Sequence, residues 1–192
     1  LVRLLDNAPG PVQIVFAGKA HPADIGGQEI LKSIHAAAMD HRLKGRVVLL
    51  EDYDMELGRY LTQGADVWLN TPRRPKEASG TSGMKASMNG GLNVSILDGW
   101  WPEGYSGNNG WVIGDSTESH DYLTQDHHDA CALYDILEHK VIPCFFDREE
   151  QGPPNTWLNM SWDAIETVTP EFSSLRQVLD YVRQLYQPAM DG

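Results

Sequence analysis

Apolar positions in the first half of the chain alternate between short continuous runs and helical stripes. Four runs have the length and composition of buried strands: residues 12–16, 47–50, 65–70 and 92–97. Apolar residues at helical spacing lie between them, and they predict helices over residues 26–41 and 55–64. Strands that alternate with helices predict a parallel sheet, so the pattern predicts an α/β fold.

The segment from Trp100 to Asp115 is rich in glycine, asparagine and aromatic residues, which predicts a long loop packed by its own side chains. Its aromatic rings could pack within the loop or stack on sugar rings, and the sequence leaves both alternatives open. The rings are those of Trp100, Trp101, Tyr105 and Trp111.

Two apolar stripes predict helices in the C-terminal part, over residues 129–140 and 172–186. Both stripes are expected to face the core rather than a ligand. The first consists of Ala132, Leu133, Ile136 and Leu137, and the second of Leu175, Val178, Leu179, Val182 and Leu185.

Composition narrows the class of protein. The 192 residues, 41% of them hydrophobic, suffice for one domain with a sizeable core. A net charge of -12 argues against nucleic acid or an anionic membrane as the main partner. The sequence has no apolar run of the roughly 20 residues that a membrane span needs. Cys131 and Cys144 form no C-x-x-C motif, so we expect a reduced, cytoplasmic protein.

The proline-rich loop TPRRPKEASGTSG leads into the predicted helix MKASMNGG. It is the segment of the sequence where we expect the functional site. Backbone N–H groups at such a helix start, with the hydroxyls of Ser79 and Thr81, predict an anion site. Gly80 and Gly83 allow a ligand to approach the backbone closely, and the carboxylate of Glu77 can accept hydrogen bonds from sugar hydroxyls. The loop therefore predicts a ligand that combines phosphate with a polyol.

Lys85 follows within one helical turn of Gly83. Its ammonium could lie near the same anion, or its neutral amine could condense with an aldehyde. A phosphorylated aldehyde would satisfy both features. Spacing alone is also compatible with an ordinary capped helix that bears a surface lysine.

The segment EASGTSGMKASMNGGLNVSILDG resembles the pyridoxal-phosphate segment of the α-glucan (glycogen, starch or maltodextrin) phosphorylases, E-A-S-G-T-x-x-M-K followed by N-G and L-D-G. Three further segments are similar to the same family: FAGKAHPAD, LLEDYDMELGRYLTQGADVWLN and VIPCFFDRE. The resemblance covers nearly the whole chain, and the short DGWWPEG form is similar to the bacterial and archaeal type.

The resemblance implies a Rossmann-like parallel sheet with C-terminal helices, the C-terminal half of a glycosyltransferase-B fold. Residues 1–192 would then be a single cofactor-binding domain portion, without the N-terminal domain and without the basic segment that holds substrate phosphate. The implied reaction releases glucose 1-phosphate from α-1,4-glucan with inorganic phosphate, by an enzyme that could be a homo-oligomer. This chain alone is expected to be inactive.

The resemblance also implies roles for individual residues. Lys85 would hold pyridoxal 5'-phosphate covalently, as a tether, while the cofactor phosphate takes part in proton transfer. The cofactor would further contact Tyr53, Thr81, Ser82 and Gly83. The reacting glucose would be bound by Glu77, Ala78, Ser79 and Gly80.

Two other functions remain open at this point. A nucleotide-sugar glycosyltransferase of the same architecture, similar to glycogen synthase, would use a similar helix start for its donor diphosphate. The second alternative function is that of a non-catalytic carbohydrate-binding module.

The run 126–129, Asp-His-His-Asp, is interpreted as a polar helix start rather than a metal site. Lys19, at a strand end, is interpreted as a solvated lysine with a lesser prospect of binding an anion.

Overall fold

The computed structural model describes residues 1–115, 121–148 and 152–191. Its strands are β1 (Ile14–Ala17), β2 (Val47–Leu50), β3 (Val67–Asn70), β4 (Leu92–Ile96) and β5 (Gly110–Ile113). Its helices are α1 (Val2–Asn7), α2 (Ile25–Met39), α3 (Met55–Gly64), α4 (Thr81–Met88), α5 (Trp101–Gly104), α6 (Tyr122–Ile136), α7 (Ile142–Phe146), α8 (Asn155–Phe172), α9 (Ser174–Tyr181) and α10 (Gln187–Asp191). Short π-helical segments, Leu137–Val141 and Val182–Tyr186, join α6 to α7 and α9 to α10.

All strand pairs are parallel, and the strands divide between two sheets. One sheet contains β1 and β2, and the other has the order β3-β4-β5. The predicted α/β class with parallel strands flanked by helices is confirmed. The sequence pattern did not predict the division into two sheets, because it reports which segments are strands and not which strands are neighbours.

Strand β4 is the centre of the larger core. It has a neighbour on each side, and all five of its residues are buried. Helices α4 and α8 pack against it, and Trp157 of α8 joins the same hydrophobic cluster. The apolar stripe of α6 contributes Ile136 and packs Ala132 and Leu133 onto the cluster, as its periodicity predicts. A smaller cluster around Val47 covers the other sheet.

Helices α2 and α3 begin at aspartate caps. The Asp24 side chain accepts a hydrogen bond from the Gly27 N–H, and the Asp54 side chain accepts one from the Leu57 N–H. Each cap satisfies one of the N–H groups that a helix start leaves unpaired. None of the described helices has both the length and the apolar character needed to cross a membrane.

The prediction of one long loop from Trp100 to Asp115 is wrong, because this segment contains α5 and β5. Strand β5 is only four residues long and pairs with β4. Glycines on both sides and two asparagines directly before it conceal so short a strand in the sequence. Pairing with a buried neighbour, which is a tertiary contact, decides its conformation.

The predicted helix over 172–186 begins two residues later, at Ser174, and runs on to Tyr186 as a π-helical segment, but its stripe is not core. Helix α8 ends at Phe172, and the Ser173 side chain caps α9 by accepting a hydrogen bond from the Arg176 N–H. Leu175 is 69% exposed and Val178 54% exposed. The 3.6-residue period correctly indicates an amphipathic helix, but the apolar face of that helix has no partner within the described residues that would bury it.

Candidate functional site

The loop 71–80 joins β3 to α4 at the carboxyl ends of the strands, where parallel sheets bind ligands. The turn that follows β4 holds it. One carboxylate oxygen of Asp98 accepts a hydrogen bond from the Glu77 N–H, and the other accepts one from the Gly99 N–H, both at 2.9 Å. The Trp100 N–H donates to the Ser79 carbonyl at 2.8 Å. The turn after β4 therefore fixes the backbone of Glu77 and Ser79.

Gly99 allows this close approach. Its φ is +58°, and a Cβ atom there would lie 2.5 Å from the Ser79 carbonyl oxygen and 2.8 Å from Cγ of Glu77. A side chain at this position would collide with backbone as well as strain its own conformation. The absence of a side chain at residue 99 is thus a condition for the position of the Glu77 carboxylate.

The start of α4 has the features of an anion site. Gly80 precedes it in the left-handed conformation, φ 86° and ψ 50°, and no side chain caps the helix. The Gly83 N–H donates to the Gly80 carbonyl at 3.2 Å. The N–H groups of Thr81 and Ser82 lie in the same first turn, where a helix leaves backbone donors without intrahelical acceptors. These donors and the helix dipole favour an anion.

Gly83 faces the interior rather than the ligand side of the helix. A Cβ atom there would lie 2.6 Å from Oδ1 of Asn93 and 3.0 Å from Nε1 of Trp100. The Asn93 amide donates to the Gly83 carbonyl at 3.0 Å and to the Ser87 hydroxyl at 2.7 Å. Gly83 therefore lets α4 pack closely on β4, which sets the direction in which the helix start points.

Lys85 is exposed on α4, one turn beyond the helix start. Within the described part of the chain, no carboxylate lies within ion-pair distance of its ammonium group. Its carbonyl accepts a hydrogen bond from the Asn89 side chain at 2.8 Å. The amine is thus available to a ligand that occupies the helix start.

Tyr53 lies in the loop between β2 and α3, beyond the carboxyl end of the other sheet. Its hydroxyl packs against α3, where a Cβ atom at Gly58 would lie 2.6 Å from it. No hydrogen bond or ring contact among the described residues joins Tyr53 to α4. Lys19 follows β1, and its ammonium lies 3.9 Å from the Asp52 carboxylate. The two sheets therefore contribute separate groups at their carboxyl ends.

Helix α6 holds the outer part of the loop. The Arg73 guanidinium donates to both carboxylate oxygens of Asp126, with Nε 2.8 Å from Oδ1. This bond holds the pKa of Asp126 below its usual value. The Tyr122 ring lies under two cations, with its centroid 5.0 Å from Cζ of Arg73 and 4.4 Å from Nζ of Lys76. The loop is thus anchored at both ends.

Two features noted in the sequence have structural roles. The run 126–129 lies within α6, which begins at Tyr122, and not at the helix start that the sequence predicted. Asp126 belongs to the ion pair with Arg73, and Asp129 accepts hydrogen bonds from Gln125. Residues 1–115, 121–148 and 152–191 contain no group of three acidic, histidine or cysteine side chains placed to hold a metal ion. Trp100 and Trp101 are 3% and 0% exposed, so neither offers a ring face to a sugar.

Sequence reasoning missed Asp98, Asn93 and the packing role of Trp100. Asp98 lies in the L-D-G element of the resemblance, which is the signal that could have pointed to it. Its hydrogen bond spans 21 positions to Glu77, and no local pattern indicates such a pairing. The candidate site thus brings together Glu77, Ala78, Ser79, Gly80 and the start of α4, while Tyr53 stands apart.

Parallel strands flanked by helices, with an uncapped glycine-led helix start at the strand ends, define an α/β protein of the class whose ligand sites lie at that edge of the sheet. A family profile described as Carbohydrate phosphorylase matches residues 5–138. The chain belongs to this family.

Relatives support the assignment along the whole chain. A glycogen phosphorylase of Aquifex aeolicus is 50% identical over 97% of this chain and 26% of the relative. A maltodextrin phosphorylase of Thermococcus litoralis is 43% identical over 99% of the chain and 22% of the relative. A glycogen phosphorylase of Mycobacterium tuberculosis is 44% identical over 98% of the chain and 22% of the relative. The chain therefore spans about a quarter of the length of these relatives.

Proposed function

We propose that residues 1–192 form the cofactor-bearing C-terminal portion of an α-glucan phosphorylase. The whole protein would cleave α-1,4-glucan with inorganic phosphate and release glucose 1-phosphate. Family membership and the names of the relatives support the reaction. The observation that supports this site most directly is the uncapped start of α4, with Glu77 held beside it and Lys85 one turn further along.

The residues present fit pyridoxal 5'-phosphate, on which this family generally depends. The first-turn N–H groups and hydroxyls of Thr81 and Ser82 suit a phosphate. The amine of Lys85, free of carboxylate partners in the described residues, suits covalent attachment of an aldehyde. Gly83 would act by seating the helix rather than by contacting the cofactor. We place Tyr53 at the cofactor only on the resemblance, because it lies beyond the carboxyl end of the other sheet.

When bound, the cofactor supplies a phosphate that can act as an acid and base. The protein groups have simpler roles. Glu77 would accept hydrogen bonds from glucose hydroxyls, and the backbone of Ala78, Ser79 and Gly80 would contact the same sugar. Asp98 and Gly99 hold this loop and so determine where the carboxylate stands. Preorganised groups of this kind bind without reorganising when the substrate arrives.

Cofactor attachment can be tested separately from activity. The protein is incubated with pyridoxal phosphate, reduced with borohydride and digested, and the modified peptide is identified by mass spectrometry. We expect one label, on Lys85, and its loss in Lys85→Ala. Lys44→Ala, which changes another exposed lysine, serves as the control and should keep the label. Labelling spread over many lysines, unchanged in Lys85→Ala, would contradict the assignment.

Substrate binding is tested in the complete polypeptide encoded by the gene, with maltodextrin and phosphate as substrates. Glu77→Ala should raise KM and lower kcat/KM by a factor of about 10 to 100, the cost of a lost hydrogen bond to a charged group. Glu103→Ala, which removes an exposed carboxylate from α5, is the matched control. Equal kinetics in both variants would show that Glu77 does not bind the sugar.

The remaining expectations belong to the same proposal. Cytoplasmic location is supported by Cys131 and Cys144, which are both free thiols, as a reducing compartment requires. A nucleotide-sugar glycosyltransferase would bind its donor without any lysine label, so the borohydride experiment also distinguishes that function. The chain alone should show no glucose 1-phosphate release, because it spans only about a quarter of its relatives.

A further inference from the structure

Asn70 is the last residue of β3, at the carboxyl end of the strand. It stands two positions after Trp68, which pairs in register with Asn93 of β4. The Asn93 side chain contacts α4, since its amide donates to the Gly83 carbonyl at 3.0 Å. Side chains two residues apart on a strand share one face of the sheet with those in register on the neighbouring strand. Asn70 therefore lies on the face that α4 covers, at the edge where parallel sheets bind ligands.

The side-chain amide of Asn70 lies next to the start of α4. Its Nδ2 atom is 3.7 Å from the point at which a Cβ atom of Gly80 would stand, and Cγ of Glu77 is 3.8 Å from the same point. Gly80 itself has no side chain to fill the space beside them. An amide and a carboxylate therefore lie close together at the residue that leads into the helix.

The protein gives neither of these two side-chain groups a partner. Within residues 1–115, 121–148 and 152–191, the Asn70 amide makes no hydrogen bond, and the Glu77 carboxylate makes neither a hydrogen bond nor an ion pair. Both residues are half-buried. A polar group that is withdrawn from water without a partner costs free energy. A ligand that supplies both partners would recover this cost.

A hydroxyl group is the ligand chemistry that satisfies both side chains. Its oxygen can accept a hydrogen bond from the Asn70 amide while its hydrogen donates to the Glu77 carboxylate. A phosphate in the same place would meet the negative charge of Glu77 and be repelled by it. The space beside Gly80 therefore suits a polyol rather than an anion.

We propose that Asn70 is a further sugar-binding residue, which holds one hydroxyl of the reacting glucose together with Glu77. The inference rests on the proposed function for the identity of the sugar. Asn70 donates to the hydroxyl oxygen, and Glu77 accepts a hydrogen bond from the same hydroxyl. The pair selects for a sugar that carries this group, because a sugar without it leaves two polar groups of the site unpaired.

Binding of glucose to the complete polypeptide encoded by the gene, measured by calorimetry, tests the proposal. The ligands are glucose and a set of deoxyglucoses, each of which lacks one hydroxyl. One of these analogues should bind the parent protein about 10-fold or more weakly than glucose. In Asn70→Ala the penalty for that analogue should fall to about 3-fold or less, while the other penalties stay unchanged. Glu77→Ala should reduce the penalty for the same analogue.

Two further variants separate sugar contact from folding. Asn70→Asp keeps the shape of the side chain but cannot donate at neutral pH, so it should weaken glucose binding as Asn70→Ala does. Asn159→Ala, which removes an exposed amide from α8, should bind every ligand as the parent does. The Tm of Asn70→Ala should change little, because this amide loses no hydrogen bond within the described residues.

The outcomes decide between contact, support and a wrong reaction. If Asn70→Ala weakens glucose and every analogue equally and lowers Tm, the side chain only supports the loop, and the inference is wrong. Unchanged penalties in Asn70→Ala, effects of Asn70 and Glu77 on different hydroxyls, or no glucose binding by the parent would also overturn it. Phosphorolysis of maltodextrin is measured on the same sample. Activity without the coupling rejects this inference alone, whereas coupling without phosphorolysis rejects the proposed reaction and keeps the sugar contact.

Discussion

Replacement of Asp98 by asparagine tests whether this side chain holds the loop 71–80. The carboxylate accepts two backbone hydrogen bonds, from Glu77 and from Gly99, and the residue is only 9% exposed. Asparagine has the same shape but only one acceptor oxygen. Its NH₂ group would face one of the two N–H donors, so one hydrogen bond is lost and one donor is left unpaired.

The expected loss follows from these contacts. Removing one hydrogen bond to a charged group lowers the free energy of unfolding by about 1.5 to 3 kcal/mol. For a chain of this size that corresponds to a decrease in Tm of about 3 to 12 °C. Because the lost bond anchors Glu77, the Glu77 amide should also exchange faster with solvent than in the parent protein.

Urea unfolding and hydrogen exchange of Asp98→Asn measure both effects. The matched control is Asp66→Asn at the exposed start of β3, where the side chain makes no hydrogen bond within the described residues. The control should change stability by less than about 0.5 kcal/mol. If Asp98→Asn is as stable as the control and exchange at Glu77 is unchanged, the loop is not held by this carboxylate.

Three more outcomes are expected. Because its ion pair lowers the pKa of Asp126, that pair stabilises the protein above about pH 4 and is lost at lower pH, so Asp126→Asn should flatten the acid side of the stability curve measured by urea unfolding. Burial raises the pKa of the Cys144 thiol, so iodoacetamide should modify the exposed Cys131 first, and equal rates would contradict this. Gly99→Ala should lower Tm more than Gly107→Ala, since both have positive φ but only residue 99 meets backbone oxygen.

Several elements could be predicted from the sequence because they depend on local pattern. The run 47–50 coincides with β2, and the predicted helices 26–41 and 55–64 correspond to α2 and α3 within two residues. The spacing of glycines, hydroxyl side chains and Lys85 also predicted that the functional site lies in the loop 71–80 and at the start of α4. These features follow from backbone preference and apolar period, which act over a few residues.

Pairings between distant segments required the tertiary structure. Strand β5 exists because β4 lies beside it, and the Glu77 loop is held by Asp98 from the end of another strand. The structure also gives Gly83 a packing role, because Asn93 and Trp100 occupy the space that a side chain at residue 83 would need. Sequence alone thus determined the elements that local periodicity marks, such as β2, α2 and α3, and the glycine, hydroxyl and lysine groups of the site. Packing decided which of those groups face outward, because burial and register depend on contacts that no local pattern records.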